Sequence, residues 1–242
     1  MKYLILSTVV AFAAVGAHAQ DVVRMGTEGA YPPYNFINDQ GEVDGFEREL
    51  GDLLCERAGL TCEWVPNEWD SIIPNLTSGN YDTIMAGMSI TPEREEVVDF
   101  TQNYFPPAAS AFAATNPDAD LAGGVIAAQV NTIQAAHIAA SGATLLEFAT
   151  PDETIAAVRN GEADAVFADK DSLIPIVEED ADLEFVGEDV ALGGGVGMAL
   201  RSGDPMRETF DTIIGELKAD GTLNELLSKW FGETAPLFEV TQ

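Results

Sequence analysis

Positive charge is scarce in this chain. Its 242 residues include 11 Lys and Arg against 41 Asp and Glu, a formal charge of −30. A surface that acidic repels phosphate backbones and anionic headgroups, which excludes nucleic acid and acidic membranes as partners. It favours solubility, and it draws cationic solutes only weakly once salt screens the field. Histidine is scarcer still, with His18 and His137 alone. Cysteine is limited to Cys55 and Cys62, and no further Cys or His lies beside them to complete a metal site. No metal-ligand cluster, nucleophile–base pair or phosphate loop stands out, so neither a metal nor a cofactor is expected. Low-complexity tracts and internal repeats are absent too. Hydrophobic residues at 46% with charged residues at 21% describe a globular chain, long enough for one large domain or two small ones.

Long apolar runs are missing apart from the first. "MKYLILSTVVAFAAVGAHAQ" sets Lys2 ahead of an apolar stretch that ends in Ala17-His18-Ala19. This is the pattern of a cleaved secretory signal over residues 1–19. The run is short for a membrane helix, and no basic cluster follows it. No Cys stands at the cleavage site, so a lipid anchor is not expected. Export to an oxidising compartment favours a disulfide between Cys55 and Cys62 in "CERAGLTC"; two buried free thiols are the alternative. A helix end, a turn at Gly59 and a strand start between them let the two backbones approach. A loop that short is worth ~2–3 kcal/mol.

The rest of the chain alternates two periodicities. "VVRMG" and "TCEWVP" read as strands, and "YNFINDQGEVDGF" as a hairpin turning at 38–41. "FERELGDLLCERAG" sets Phe46, Leu50, Leu53, Leu54 and Ala58 on one helical face and ends at Gly59. A short helix over "WDSIIPNL", a strand over 83–88 and a helix over 92–100 follow. After "TQNYFPPA" the pattern restarts: strands at 110–114 and 124–129, a helix over 132–142, a strand at 144–148, a helix over 151–161, a strand at 163–169 and "LEFVG". Gly-rich "GGGVGMALR" leads into another strand, and two helices broken at Asp220-Gly221 close the chain. That is the rhythm of parallel sheets covered by helices. Crossovers near 105–110 and 190–196 suggest two lobes. Ligands of such sheets bind outside the carboxyl ends of the strands, here in a cleft between lobes.

Arg94 is the only Lys or Arg between Arg57 and Arg159. Thr91 is a good N-cap and Pro92 suits the first helical position, so Arg94 stands in a helix first turn. The plain expectation for it is a solvated helix residue; the sharper one is a receptor for an anion. The other singled-out residues also have plain readings. Asp169 reads as a helix N-cap after a strand, and Glu28 as a solvated loop acid. Tyr31, Tyr34, Phe36 and Trp69 read as core aromatics, and His137 as helix packing. An acid beside aromatics is also how an ammonium or guanidinium is held, with cation–π contact worth ~0.5–2 kcal/mol.

"GTEGAYPPYNF", "GFERELGDLLCERAG", "WDSIIPNLTSGNYD", "MSITPEREEVVDFTQNYF", "GEADAVFAD" and "ADGTLNELLSKWFG" occur in that order. As an ordered set they resemble the periplasmic amino-acid-binding proteins of ABC importers (solute-binding family 3), above all the lysine/arginine/ornithine- and histidine-binding subgroup. The likeness covers nearly all of the mature chain, and the spacing of the Cys pair matches the subgroup's disulfide. The resemblance implies an α/β, two-lobed periplasmic-binding-protein fold of type II with two crossovers and the ligand in the interlobe cleft. Lobe 1 would take residues 20–108 and 194–242, and lobe 2 residues 109–193. It also implies site roles. Arg94 would grip the ligand α-carboxylate in a two-pronged salt bridge, helped by Ser89 and Thr132. Gly87 would give a backbone contact, and Asp169 would hold the α-ammonium. Glu28 would address the ligand side chain between Tyr31 and Trp69, with Tyr34, Met88 and Gln129 as neighbours.

Three departures bear on these roles. Val130 stands where the family has Gly. Ala86 and Gly87 stand where the basic-amino-acid binders have Ser, and Glu28 where the nearest of them have Asp. The function expected is capture of a polar, cationic L-amino acid (arginine, lysine, ornithine or histidine) in the periplasm by a monomer that delivers it to an ABC-transporter permease. The alternatives are a binder of glutamine or of a conjugate such as an opine, and, in another class, a periplasmic dehydratase on the same fold. A sensory domain of a larger receptor is not expected, since no membrane helix or kinase follows the lobes.

Overall fold

The computed structural model describes residues 21–239; the signal expected over 1–19 lies outside the described residues. The chain opens with β1 (Val22–Thr27) and three short strands, β2 (Ala30–Tyr31), β3 (Asn35–Ile37) and β4 (Val43–Asp44), which form a small antiparallel sheet. Asn38 makes the β3–β4 turn: its side-chain Oδ1 accepts from Gln40 and Glu42 N–H, and Gly41 supplies a φ of 80°. Next come α1 (Phe46–Ala58), β5 (Thr61–Pro66), a single tight turn (Trp69–Ser71), α2 (Ile72–Thr77), β6 (Thr83–Ile84) and α3 (Pro92–Glu95). β7 (Val98–Phe105) then carries the chain out of this lobe.

The second lobe holds β8 (Ala109–Ala114), β9 (Val125–Gln129), α4 (Ile133–Ala139), β10 (Thr144–Phe148), α5 (Pro151–Arg159), β11 (Ala165–Asp169), α6 (Lys170–Glu179) and β12 (Glu184–Ala191). The return is made by β13 (Val196–Arg201), followed by α7 (Met206–Ala219) and α8 (Thr222–Phe231). Each lobe has a five-stranded sheet, ordered β5-β1-β6-β13-β7 in the first and β10-β9-β11-β8-β12 in the second.

Both sheets are mixed rather than wholly parallel. β1 runs parallel to β5 and β6, and β9 parallel to β10 and β11. β13 is antiparallel to β6 and β7, and β8 to β11 and β12. The reason is the double crossing. β8 and β13 are the strands that enter from the other lobe, so they run against their neighbours. The α/β alternation in the sequence reports only the strands that belong to βαβ units.

Two expected elements are shorter than their patterns. The helix expected over 92–100 stops after one turn, and Val98 already pairs with Arg201 in the sheet. Val98 and Phe100 are buried on alternate positions, as a strand requires, and the adjacent Val97 and Val98 disfavour a longer helix. The strand expected over 83–88 pairs only at Thr83–Ile84, because Gly87 turns the chain with a φ of 63°. One helix shows only its start in the sequence: Asp169 stands at the N-cap position of α6, but Pro175 lies inside the helix and masks the rest of its pattern.

α1 anchors the first lobe. Phe46, Leu50 and Leu54 are fully buried, each worth about 1.5–3 kcal/mol, and Leu53 and Ala58 pack beside them half-buried. Gly59 ends the helix in the left-handed conformation, and Leu60 N–H returns to Cys55 O at 2.8 Å. Cys55 is bonded to Cys62, joining the end of α1 to β5 with Cα atoms 5.9 Å apart. The double variant Cys55→Ser/Cys62→Ser is expected to lose ~2–3 kcal/mol of unfolding free energy. Urea denaturation checks this, and a midpoint equal to wild type would show the bond to be without effect on stability.

Candidate functional site

In both lobes the carboxyl ends of the parallel strands point at the space between them. Glu28 follows β1, Gly87 and Ser89 follow β6, Gln129 ends β9 and Asp169 ends β11. Glu28, Tyr31, Trp69, Gly87, Ser89, Arg94, Gln129, Thr132 and Asp169 all line one interlobe cavity, which has about 500 Å³ of unfilled space, part of it open to solvent.

Arg94 is held by local chemistry. Thr91 caps α3, its Oγ1 accepting from Arg94 N–H at 3.2 Å, and Pro92 presets the first turn. The half-buried guanidinium donates from Nη1 to Ser89 O at 2.7 Å and from Nη2 to Asn131 O, in the other lobe, at 3.1 Å. It also sits 5.4 Å from the Trp69 ring. Arg24, Arg48, Arg57, Arg159 and Arg201 each pair with a carboxylate, whereas among the described residues Arg94 is in no ion pair. Burial pulls its pKa down to about 10, against the opposing field of Asp169. A guanidinium has five N–H donors, and two are used on carbonyls, so an anion can still be received.

Asp169 occupies the N-cap position of α6, but its side chain makes no capping bond. The carboxylate instead accepts from Tyr31 Oη across the cleft and from Gln134 Nε2, both at 2.7 Å. Burial raises its pKa, and the Tyr31 and Gln134 hydrogen bonds and the Arg94 charge oppose that shift. The acid is thus turned into the cavity rather than spent on the helix.

Glu28 is the third charged corner. Its Oε1 accepts from Gln129 Nε2 of the other lobe at 2.5 Å. Burial pushes it up to about 7, the like charges of Glu68 and Glu47 add to the rise, and the Gln129 bond works against it. A carboxyl at that value changes charge near neutral pH.

The remaining walls are aromatic and backbone. Tyr31 stacks on Tyr34 at 5.4 Å, and Trp69 is buried beside Arg94. A Cβ on Gly87 would stand 3.0 Å from the Tyr31 ring, and its φ of 63° favours glycine independently. Gly87 N–H already donates to Glu47 Oε1 at 2.7 Å, which leaves the Gly87 carbonyl for other partners. Thr132 caps α4: its Oγ1 accepts from Ala135 N–H at 3.1 Å and donates to Gln129 O at 2.7 Å. In this loop the left-handed residue is Asn131, with a φ of 59°. Val130 keeps an ordinary negative φ and bonds Phe148 O, so the loop makes no demand for glycine there.

Two candidate residues are not brought to the cavity surface. Tyr34 is fully buried behind Tyr31 in the first lobe's core. Met88 is fully buried too and borders a neighbouring groove. Phe36 packs on Trp230, and His137 on Phe167, as side-chain packing alone predicts. Three residues carried no sequence signal. Gln134 is buried on α4 and joins Asp169 to Ser110. Asn131 gives Arg94 a carbonyl. Glu47 is a fully buried acid beneath Gly87. A polar residue at a buried helix position looks like any surface residue until its neighbours are known. Among the described residues no cluster of His, Cys, Asp or Glu could hold a metal ion.

Residues 23–233 match the family described as bacterial extracellular solute-binding proteins, family 3. The L-arginine-binding protein of Pseudomonas aeruginosa is 32% identical over 230 residues, covering 88% of this chain and 89% of its own. The histidine-binding periplasmic protein of Salmonella typhimurium is 31% identical over 252 residues, covering 94% of this chain and 95% of its own. Among solved structures, a periplasmic His/Glu/Gln/Arg/opine family-binding protein from Silicibacter pomeroyi in complex with lysine is 72% identical, with a TM-score of 0.88. The match covers 89% of this chain and all of that one.

Gly87→Ala is expected to lower stability by about 1–3 kcal/mol, because the new methyl both meets the Tyr31 ring and forces a left-handed non-glycine residue. A thermal or urea midpoint unchanged from wild type would show that the turn relaxes freely.

Proposed function

The chain belongs to the bacterial extracellular solute-binding proteins, family 3, and we propose that it captures a free L-amino acid with a cationic side chain for uptake by an ABC transporter. One observation carries this. Arg94 and Asp169 face the same cavity from opposite lobes, each engaged by neutral groups and neither paired with the other. A zwitterion fills that gap: its carboxylate completes the guanidinium and its ammonium completes the acid. Glu28 supplies a second anionic corner for the ligand's own side chain, walled by Tyr31 and Trp69. Lysine, arginine, ornithine and histidine are the candidates; the similar proteins' descriptions name arginine, histidine and lysine.

In the proposed cycle the ligand docks on lobe 1, residues 20–108 and 194–242, through Arg94, Ser89, the Gly87 carbonyl and the aromatic wall. Lobe 2, residues 109–193, then closes with Thr132 and Asp169. Because the Thr132 hydroxyl is engaged in its cap, its carboxylate contact falls first to the backbone N–H. The closed monomer is what the permease recognises, in the periplasm after loss of residues 1–19. The protein performs no chemistry in this scheme. Each acid of the site has a binding role in it, Asp169 toward the α-ammonium and Glu28 toward the side-chain cation.

Calorimetry tests the scheme. Arginine, lysine, ornithine or histidine should bind, and Arg94→Ala should weaken binding by about 2–5 kcal/mol. Heat from an acidic amino acid alone would reject the ligand class, and turnover of prephenate or arogenate would reject the non-catalytic reading. Affinity should also depend on pH. Glu28, pushed up to about 7 in the free protein, must ionise to hold a cation. Affinity for a cationic side chain therefore rises with pH through about 7 and levels off above it, and binding near pH 7 releases protons. Titrations in buffers of different ionisation enthalpy detect that release, and Glu28→Gln should abolish it. Equal proton release by wild type and Glu28→Gln would exclude Glu28 as the source.

A further inference from the structure

Glu47 is the second residue of α1, and its side chain is fully buried. It does not line the cavity. Its carboxylate accepts from three donors that belong to three separate segments. Oε1 accepts from Gly87 N–H at 2.7 Å and from the Tyr104 hydroxyl. Oε2 accepts from Asn35 Nδ2 at 2.6 Å, and Asn35 Oδ1 in turn accepts from Gly29 N–H at 2.7 Å. Glu28 precedes Gly29, and Tyr31 lies two residues beyond it. Gly87 precedes Ser89 by two residues. Tyr104 lies at the end of β7, just before the chain first crosses to the second lobe. One acid is thus tied to two ligand-facing loops of the first lobe, to one directly and to the other through Asn35, and to the strand that leads out of it.

Resting on the amino-acid capture proposed above, we propose that Glu47 is a positioning residue for the ligand. Its carboxylate sets the Gly87 peptide, the Gly29–Tyr31 loop and the Tyr104 end of β7 as one unit. Two consequences follow from the bonds. By taking the Gly87 N–H, Glu47 presents the Gly87 carbonyl as the acceptor left for a ligand ammonium. By fixing Asn35, it fixes which way the Asn35 amide faces, and so holds Gly29 beside Glu28. Three of the four hydrogen bonds end on Glu47, and while Asn35 Oδ1 is committed to Gly29 N–H both Glu47 oxygens must accept, which a carboxylate at that position does and an amide does not. Its burial raises the affinity of Glu47 for a proton, and its three donors oppose that.

The logic of donors and acceptors supplies a test. In Glu47→Gln one oxygen becomes an NH2. Turned toward Gly87, it meets an N–H; turned toward Asn35, it meets another NH2. Flipping Asn35 only moves the conflict to Gly29 N–H. One donor–donor contact survives in every arrangement. In Glu47→Gln/Asn35→Asp the conflict is gone. The amide oxygen introduced at position 47 would accept from Gly87 and Tyr104, and the amide NH2 would donate to the carboxylate introduced at position 35. That carboxylate would also accept from Gly29.

The experiment measures L-lysine affinity by calorimetry and the thermal midpoint for wild type, both single variants and the double variant. Glu47→Gln is expected to weaken lysine binding about tenfold or more. Asn35→Asp, which sets two carboxylates together, should weaken it as well. The double variant should recover to within about threefold of wild type, a reversal that loss of packing does not produce. Lysine affinity of Glu47→Gln within about threefold of wild type, or a double variant no better than the worse single, overturns the proposal. If wild type binds none of lysine, arginine, ornithine and histidine, the ligand assignment fails instead, and the thermal midpoints still decide the network. Midpoints that fall in each single variant and return in the double uphold it, and midpoints that fall additively overturn it.

Discussion

A guanidinium withdrawn from water must find acceptors, and Arg94 finds peptide carbonyls where the other paired arginines of this chain find carboxylates. Carbonyls orient the charge but do not neutralise it. That single condition organises the cavity. The Trp69 ring lies beside the cation, the Ser89 carbonyl fixes one arm, and the Asn131 carbonyl fixes the other from the second lobe. Asp169, the countercharge, is kept occupied by Tyr31 and Gln134 rather than by Arg94. Opposite charges held apart in one enclosed space leave a field that suits a molecule carrying both signs, and a field in a half-desolvated site is stronger than one in water.

The acidic composition takes on a different meaning beside this arrangement. The surface acids account for solubility, but three acids near the cavity are buried or partly buried and hold their protons more tightly than usual: Glu28, Glu47 and Asp169. Burial is the leading cause for each, and hydrogen bonds from neutral donors oppose it. They are not interchangeable. Glu28 and Asp169 face the cavity from different lobes, while Glu47 faces inward and joins segments of lobe 1. In the proposed capture the first two meet the ligand, and the third sets the backbone they work beside.

How much of this could be read beforehand depended on whether a feature is local. Thr91-Pro92 announces the start of α3, and the left-handed Gly59 announces the end of α1; both are one-residue effects with their cause in the adjacent residues. The hairpin at Asn38–Gly41 and the break at Asp220-Gly221 are of the same kind. Where two causes competed, the local pattern misled. Val98–Phe100 continues a helical pattern from Pro92, but pairing with β13, about a hundred residues away, holds it as strand. Pro175 hides the continuation of a helix whose start Asp169 marks. The direction of β8 and β13 depends on which lobe each strand enters from, and no local property carries that.

The sequence by itself determined the two-lobed α/β architecture, the membership of a solute-binding family, and the cluster of residues that the cavity gathers around Arg94, because these rest on periodicity, turn chemistry and an ordered set of motifs. Only the tertiary structure decided what each side chain does with its hydrogen bonds. Asp169 stands at an N-cap position yet serves the cavity, Val130 needs no glycine because Asn131 takes the left-handed turn, and Glu47 is an interior acid rather than a surface one. The physical reason is the same throughout. Burial turns a polar group's unmet bonds into a cost of about 1–3 kcal/mol each, and which groups are buried, and beside whom, is settled by residues far apart in the chain.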